Sequence, residues 1–341
     1  MVNTTNATLR DVANVAGVSL MTVTNVIKKR KGSFSKQTEE RVLNAIASLG
    51  YRPNISAQNL RDSLTRSVGF IISDSNTNFL GDPFISQLVS GLSNYLSSVD
   101  YSLDIQGVAP ENFENANLVR KAGSDAFCAI LSGPRNLRNA NIRCLSQIGK
   151  PVVVFQEADS RHFPNIAIIR EDDQSGAYAL GQHLLSQKAK RIVFVKPLVE
   201  WSTIEQRELG LRASLDRIGS GVSLDTIICG SESFSDVKEA IRSYLEASKP
   251  DAIVAATDAM GVAAMRMCEE LGFKVPDDIK LAGFNGFEAW QYTTPLMTTV
   301  VSPAFDMGRA AGETVFKKLT DGKFKRKDIV FSTQLRISDS T

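Results

Sequence analysis

The residues of this chain best placed to do chemistry lie close together near its start. Leu20, Met21, Thr22 and Asn25 open a helical stretch, LMTVTNVIKK, and four cations, Lys28, Lys29, Arg30 and Lys31, gather at its end. This set suits the reading of a duplex. An asparagine amide can pair in bidentate fashion with adenine, and leucine or methionine can meet a thymine methyl. Lysine and arginine hold phosphates, which fixes position without reading sequence. Catalysis is poorly served by comparison. Two histidines, His162 and His183, and four scattered cysteines without a C-x-x-C pair disfavour most metallohydrolases and histidine-based triads. No metal site and no cofactor is expected. G-x-x-x-x-G-K-[ST], G-x-S-x-G and a G-x-G-x-x-G after the first strand are all missing, so the chain is not expected to be an enzyme. Asp172 and Asp173 form an acidic pair, but consecutive side chains need not face one site, and Asp173 reads as the cap of the helix that follows.

The duplex-reading residues need a scaffold, and the flanking sequence supplies one. Thr8-Leu9-Arg10-Asp11 has the T-x-x-D form that caps a helix start, and Leu9, Val12, Ala13 and Ala16 recur at helical spacing before Gly17 ends the segment. Ser19 can cap the second helix, whose Val23, Val26 and Ile27 form one face. Ser35 opens a third with Val42, Leu43, Ile46 and Leu49, stopped by Gly50. Small residues where two helices meet, a glycine in the turn and inward aliphatics describe a helix-turn-helix, in which the second helix enters the major groove.

Charge distribution agrees. Residues 1–66 contain ten Lys/Arg against four Asp/Glu, a net of +6, and the remaining 29 bases and 33 acids give the body −4. A basic head on a mildly acidic body suggests that the head meets a polyanion. At 341 residues and 43% hydrophobic content the chain exceeds one ordinary domain, and no apolar stretch is long enough to span a membrane. The opening MVNTTNATLR lacks a basic segment followed by an apolar one, so a cytoplasmic location is expected. After the third helix, Pro53 can start a short helix to Arg61, too short to persist alone. If two copies met over a minor groove, Leu60 could act as an apolar wedge between base steps.

From Thr8 to Leu60 the order T-L-R-D-V-A-N-V-A-G-V-S-x-x-T-V-T-N-V-I, then S-x-x-T-x-x-R-V-x-x-A-I-x-x-L-G-Y-R-P-N, then A-Q-N-L, resembles the head of the LacI/GalR (lactose repressor-like) transcription regulators. The resemblance implies a homodimer on a pseudo-palindromic double-stranded operator, with hinge helices that order on DNA and place Ala57 and Leu60 in the minor groove. Asn25 stands where many relatives carry arginine.

Beyond Ser67, short apolar runs alternate with helical patterns in two series, which indicates two parallel sheets and a ligand cleft beyond their carboxyl ends. The expected fold is an all-α helix-turn-helix head with a hinge helix, followed by an α/β two-lobed core. The resemblance extends over this body and is similar to the periplasmic sugar-binding fold, through PFISQLVSGL, RIVFV, ATDAMGVAAM and LAGFNGFEAW. It implies an effector site at Phe84 and Ile85 near the end of the first strand, Arg207, Phe234, Thr257, Asp258 and Asn285, the last where many relatives have aspartate. Such side chains suit a small polar metabolite, with a sugar or sugar acid favoured. The expected division is 1–52 for the head, 53–66 for hinge and linker, and 67–341 for the core. Within the core the N-lobe is expected at about 67–166 plus 300–326, and the C-lobe at about 167–290 plus 331–341. A solute-binding receptor or α/β enzyme with an incidental helical head is the competing reading.

Overall fold

The structure, a computed structural model, describes residues 7–27, 30, 32–51, 64–157, 162–216 and 221–341. They form two compact units, Met1–Thr65 and Arg66–Thr341.

In the first unit, helices α1 (Leu9–Ala16), α2 (Leu20–Ile27) and α3 (Lys36–Leu49) share one small core. Thr8 and Asp11 cap α1 reciprocally: the Thr8 N–H donates to Asp11 Oδ2 at 2.8 Å and the Asp11 N–H to Thr8 Oγ1 at 3.3 Å. Gly17 sits at φ 64°, a left-handed turn that a side chain would strain, and Ser19 Oγ then accepts the Thr22 N–H at 3.1 Å to start α2. Val12, Ala13, Ala16, Val23, Val26, Val42 and Ala45 are buried together. Leu43, expected on the inner face of α3, is instead 51% exposed, because Val42, Ala45, Ile46 and Leu49 complete the helical stripe and Leu43 falls outside it.

The second unit holds two six-stranded sheets. The N-lobe sheet, in spatial order, is β2 (Ser102–Val108), β1 (Ser67–Ser73), β3 (Ala126–Leu131), β4 (Val152–Phe155), β5 (Ile166–Glu171) and β11 (Asp328–Phe331), parallel throughout. The C-lobe sheet is β7 (Ser223–Cys229), β6 (Arg191–Pro197), β8 (Ala252–Ala255), β9 (Lys280–Asn285), β10 (Thr298–Val301) and β12 (Gln334–Arg336), parallel except for β12, which runs antiparallel to β10. Helices cover both sheets, so central strands such as β1, β3 and β8 are buried along their length and read as continuous apolar runs.

The chain passes between lobes three times, each time later than the sequence suggests. Ile166–Glu171 completes the N-lobe sheet, Thr298–Val301 stays in the C-lobe, and Asp328–Phe331 returns to the N-lobe. The crossings therefore fall after Glu171, Val301 and Phe331, because each strand keeps its ladder to its carboxyl end. In the N-lobe, α4 (Pro83–Ser98) packs on α11 (Ala304–Asp321), and a Cβ at Gly91 or Gly308 would collide with the carbonyl of Phe305 or Leu88. Between β2 and β3 a 3-10 turn, Pro110–Asn115, is followed by α5 (Asn117–Lys121). Helix α6 (Arg135–Gln147) completes the lobe. In the C-lobe, α7 (Asp173–Ser186) packs on α8 (Ser202–Leu215), where Gly210 admits the carbonyl of Gln174; α9 (Phe234–Ala247) and α10 (Asp258–Glu270) follow.

Candidate DNA-reading surface and interlobe cavity

On α2 the two most protruding side chains are apolar: Met21 is 67% exposed and Leu20 42%. The inner face is already filled by Val23 and Val26, so neither is needed for the core. Thr22 is partly buried, its hydroxyl 2.9 Å from Ser19 Oγ at the helix cap. Asn25 departs from the expected bidentate reader. Its Oδ1 is buried without a hydrogen-bond partner, so the acceptor half of an adenine contact points inward. Arg30 is exposed. Lys28, Lys29, Lys31, Ala57 and Leu60 lie outside the described residues.

In the core a cavity opens between the carboxyl ends of the two sheets. The N-lobe contributes Asp82, Phe84, Ile130, Leu131 and Gln156. The C-lobe contributes Trp201 with the first turns of α8, then Arg207, Glu232, Thr257 and Asn285. Two wall residues hold unusual backbone, Gln156 at φ 62° and Asn285 at φ 105°, conformations that non-glycine residues keep only where the surroundings enforce them. Of the residues expected from sequence, Phe84, Arg207, Thr257 and Asn285 come together at this cavity. Ile85 does not. One residue further round α4 than Phe84, it is fully buried among the apolar residues of the N-lobe. Phe234 is 51% exposed at the start of α9, its ring 5.5 Å from Lys238 Nζ, while its neighbour Glu232 faces the cavity.

Arg207 organises the floor. Its Nε donates to Asp173 Oδ1 at 2.7 Å, Nη1 to the Ala256 carbonyl at 2.7 Å, and Nη2 to Glu171 Oε1 at 3.1 Å and Asn285 Oδ1 at 3.0 Å, with the guanidinium 4.7 Å from the Phe284 ring. Asp173 is thus a partner of Arg207; the cap of α7 is Asp172, whose Oδ1 accepts the Ser175 N–H at 3.1 Å. Burial opposes charge on Arg207, but Asp173 and Glu171 prevail and hold its pKa above the usual arginine value. Burial, reinforced by the Asp173 carboxylate and opposed by Arg207, pushes Glu171 well above the ordinary carboxylate range. Asp258 likewise does not cap its helix. Thr257 Oγ1 accepts the Met260 N–H, and Asp258 accepts from Thr299 Oγ1 at 2.7 Å and the Gly286 N–H at 2.6 Å, behind the cavity wall. Burial raises its pKa to about 7 against those hydrogen bonds and Arg207.

The lobes also grip each other beside the cavity. Arg138 of α6, 1% exposed, donates from Nη1 and Nη2 to the two carboxylate oxygens of Glu205 on α8 at 3.1 and 3.2 Å. Its Nη1 also reaches the Gly133 carbonyl at 2.6 Å, and its Nε pairs with Glu157 Oε1 at 2.9 Å. Burial pushes Glu157 up to about 7, with Arg138 opposing. The Gly133 N–H donates to the Glu200 carbonyl at 2.8 Å, Ser132 and Trp201 form an isolated bridge, and Trp201 packs against the apolar cores of both lobes. Among the described residues no cluster of His, Cys, Asp and Glu could hold a metal ion, and no helix is long and apolar enough to cross a membrane.

Residues 8–54 match the family described as "Bacterial regulatory proteins, lacI family", and residues 182–341 match "Periplasmic binding protein-like domain". The chain thus carries a lacI-type regulatory head and a periplasmic-binding-protein-like domain. This regulator is 26% identical over 327 residues to the HTH-type transcriptional repressor PurR of Aliivibrio salmonicida, covering 94% of this chain and 95% of that protein. Among solved structures it resembles the lac repressor dimer bound to operator and the anti-inducer ONPF, at TM-score 0.83 and 23% identity over 98% and 99% of the two chains. It also resembles the transcriptional regulator CelR in complex with cellobiose, at TM-score 0.69 and 25% identity over 98% and 100%. With that head and repressor relatives along its whole length, it is a DNA-binding transcriptional repressor, not an enzyme.

Among the lining residues that sequence reasoning missed are Asp82, Gln156, Trp201 and Glu232. Asp82 carried a signal, since an aspartate before Pro83 marks a helix start, and its Oδ1 accepts the Phe84 N–H at 2.7 Å. Gln156, Trp201 and Glu232 sit in connections after β4, β6 and β7 and have no local pattern that points to a site.

Proposed function

We propose that this regulator binds a pseudo-palindromic operator as a homodimer in the cytoplasm, and that a small polyhydroxylated metabolite held between its lobes controls that binding. In this reading Leu20 and Met21 take thymine methyls in the major groove, Lys28, Lys29, Arg30 and Lys31 hold phosphates, and Ala57 and Leu60 enter the minor groove. The observation that carries the effector half is the cavity at the carboxyl ends of both sheets. There the ring faces of Phe84 and Trp201 suit the apolar side of a sugar ring, and the polar floor suits its hydroxyls. The cellobiose complex of CelR supports a sugar-like ligand.

Control follows from differential affinity. A ligand that prefers one lobe arrangement shifts the protein toward it, and operator affinity follows in the direction that arrangement favours. The test is an operator titration over a genomic fragment library at two salt concentrations, with and without a sugar panel. A few fragments should be held far more tightly than the rest, and at least one sugar should change that affinity at least tenfold. Uniform binding to all fragments, or no response to any sugar, would overturn the corresponding half.

A further inference from the structure

We propose that the effector carries a positive charge: the cavity selects a polyhydroxylated amine, such as an amino sugar, over sugar acids, and Glu232 and Asp82 are the selecting groups. The inference rests on the cavity being the effector site. It follows from an inventory of charge around the wall.

Among the described residues that line the cavity Arg207 is the only cation, and it is already spent. Four of its five N–H groups are taken, by Asp173, the Ala256 carbonyl, Glu171 and Asn285, so one Nη1 hydrogen is left. Bidentate capture of a ligand carboxylate needs two parallel donors. Its charge is matched as well, by the carboxylates of Asp173 and Glu171 within 3.1 Å.

The opposite charges on the wall have no such match. Glu232 takes no hydrogen bond from any described residue, and Asp82 is met only by backbone N–H groups at the start of α4, Phe84 at 2.7 Å and Ile85, with no cation beside it to match its charge. Burial raises Glu232 to about 7, with Asp82 and Asp74 adding repulsion and Arg207 opposing; burial likewise raises Asp82, with Asp74 contributing. Two wall carboxylates, Asp82 from the loop after β1 and Glu232 from the loop after β7, thus line the cavity from opposite lobes, with Asp74 adding to their repulsion and no free cation among the described lining residues. An ammonium would relieve that repulsion and a ligand carboxylate would add to it. Phe84 and Trp201 complete the fit, because an aromatic face attracts a cation as well as the apolar side of a ring.

The experiment is calorimetric titration of the full-length protein with glucosamine, glucose and glucuronate, repeated on Glu232→Gln and Asp82→Asn. Asparagine retains the capping of α4, so the second variant tests charge without removing the cap. We expect glucosamine to bind at least tenfold tighter than glucose, and glucuronate at least tenfold weaker. Glu232→Gln should bring glucosamine to within threefold of glucose, and Asp82→Asn should reduce the gap less. The ratio of ligands is read because a general loss of packing lowers all three together. Equal binding of amine and neutral sugar, or a gap unchanged in both variants, overturns charge selection and leaves the cavity as effector site. Failure of all three sugars to bind overturns the effector reading itself, and charge selection with it.

Discussion

The head and the core place their polar and apolar groups in opposite ways. In the head the apolar Leu20 and Met21 are presented to solvent, and the cations Arg10, Arg30 and Arg41 belong to a small unit whose buried side chains are almost all aliphatic. In the core the charges go inside: Arg138, Glu157, Glu171, Asp173 and Arg207 are all buried and paired beside the cavity. A duplex is a charged, hydrated rod, so affinity there comes from solvated cations and discrimination from a few edge contacts. A small ligand must be told from its neighbours in water, and there each buried charge left unmatched is costly. The two surfaces should therefore fail differently when altered.

The largest effect is expected at Arg207. Arg207→Ala leaves Glu171 and Asp173 buried without their partner and should lower core stability by about 3–5 kcal/mol in denaturant titrations. All residues of that network belong to the second unit, so the head's own unfolding should be unchanged. A loss below about 1 kcal/mol would mean the floor is less buried than the structure has it.

Next comes the head. Leu20→Ala with Met21→Ala should weaken specific operator binding about tenfold or more, with little effect on nonspecific binding or on thermal stability. Thymine-to-uracil substitution in the operator should reproduce part of that loss with the unaltered protein. Equal loss on specific and nonspecific DNA would show that these side chains only pack.

Acidity separates the regions again. The folded core holds Glu157, Glu232 and Asp258 at about 7, above the ordinary carboxylate values, so the native state binds more protons than the unfolded chain between about pH 4.5 and 7. Core stability should therefore rise as pH falls from about 8 to 6. Below about pH 4 carboxylates held low, such as Asp251 and Glu208, reverse the trend. Thermal melts of the ligand-free protein at both pH values check the sign, and a core midpoint that falls on acidification to pH 6 would contradict it.

Smaller still, Thr8→Ala removes the cap of α1 and should cost about 1 kcal/mol in head stability, read from the head's own melting transition, with no change in effector binding.

Legibility follows the same division. The head was legible because its signals are local: a cap at Thr8, a turn at Gly17 and aliphatics at helical spacing lie within a few residues of what they specify. Leu43 was misplaced because two adjacent apolar residues, Val42 and Leu43, compete for one stripe and only packing decides. The alternation of strands and helices in the core was equally plain. Its site was legible only in part, through Phe84, Arg207, Thr257 and Asn285, because Asp82, Gln156, Trp201 and Glu232 come from four separate connections and meet only when the sheets face each other. Phe84 and Ile85 show the limit closely: one position of helical rotation sends the first to the cavity and the second to the core. Asp172 and Asp173 show it again, since cap and ion-pair partner are adjacent and chemically identical.

Helix α8 carries Glu205 and Arg207 two residues apart, which on a helix is more than half a turn. The first is held by Arg138 across the lobe boundary and the second by Glu171 and Asp173 on the cavity floor. In the proposed reading, rolling this segment to make room for an occupant would drag on both tethers at once, and both reach the N-lobe, one through Arg138 and one through Glu171.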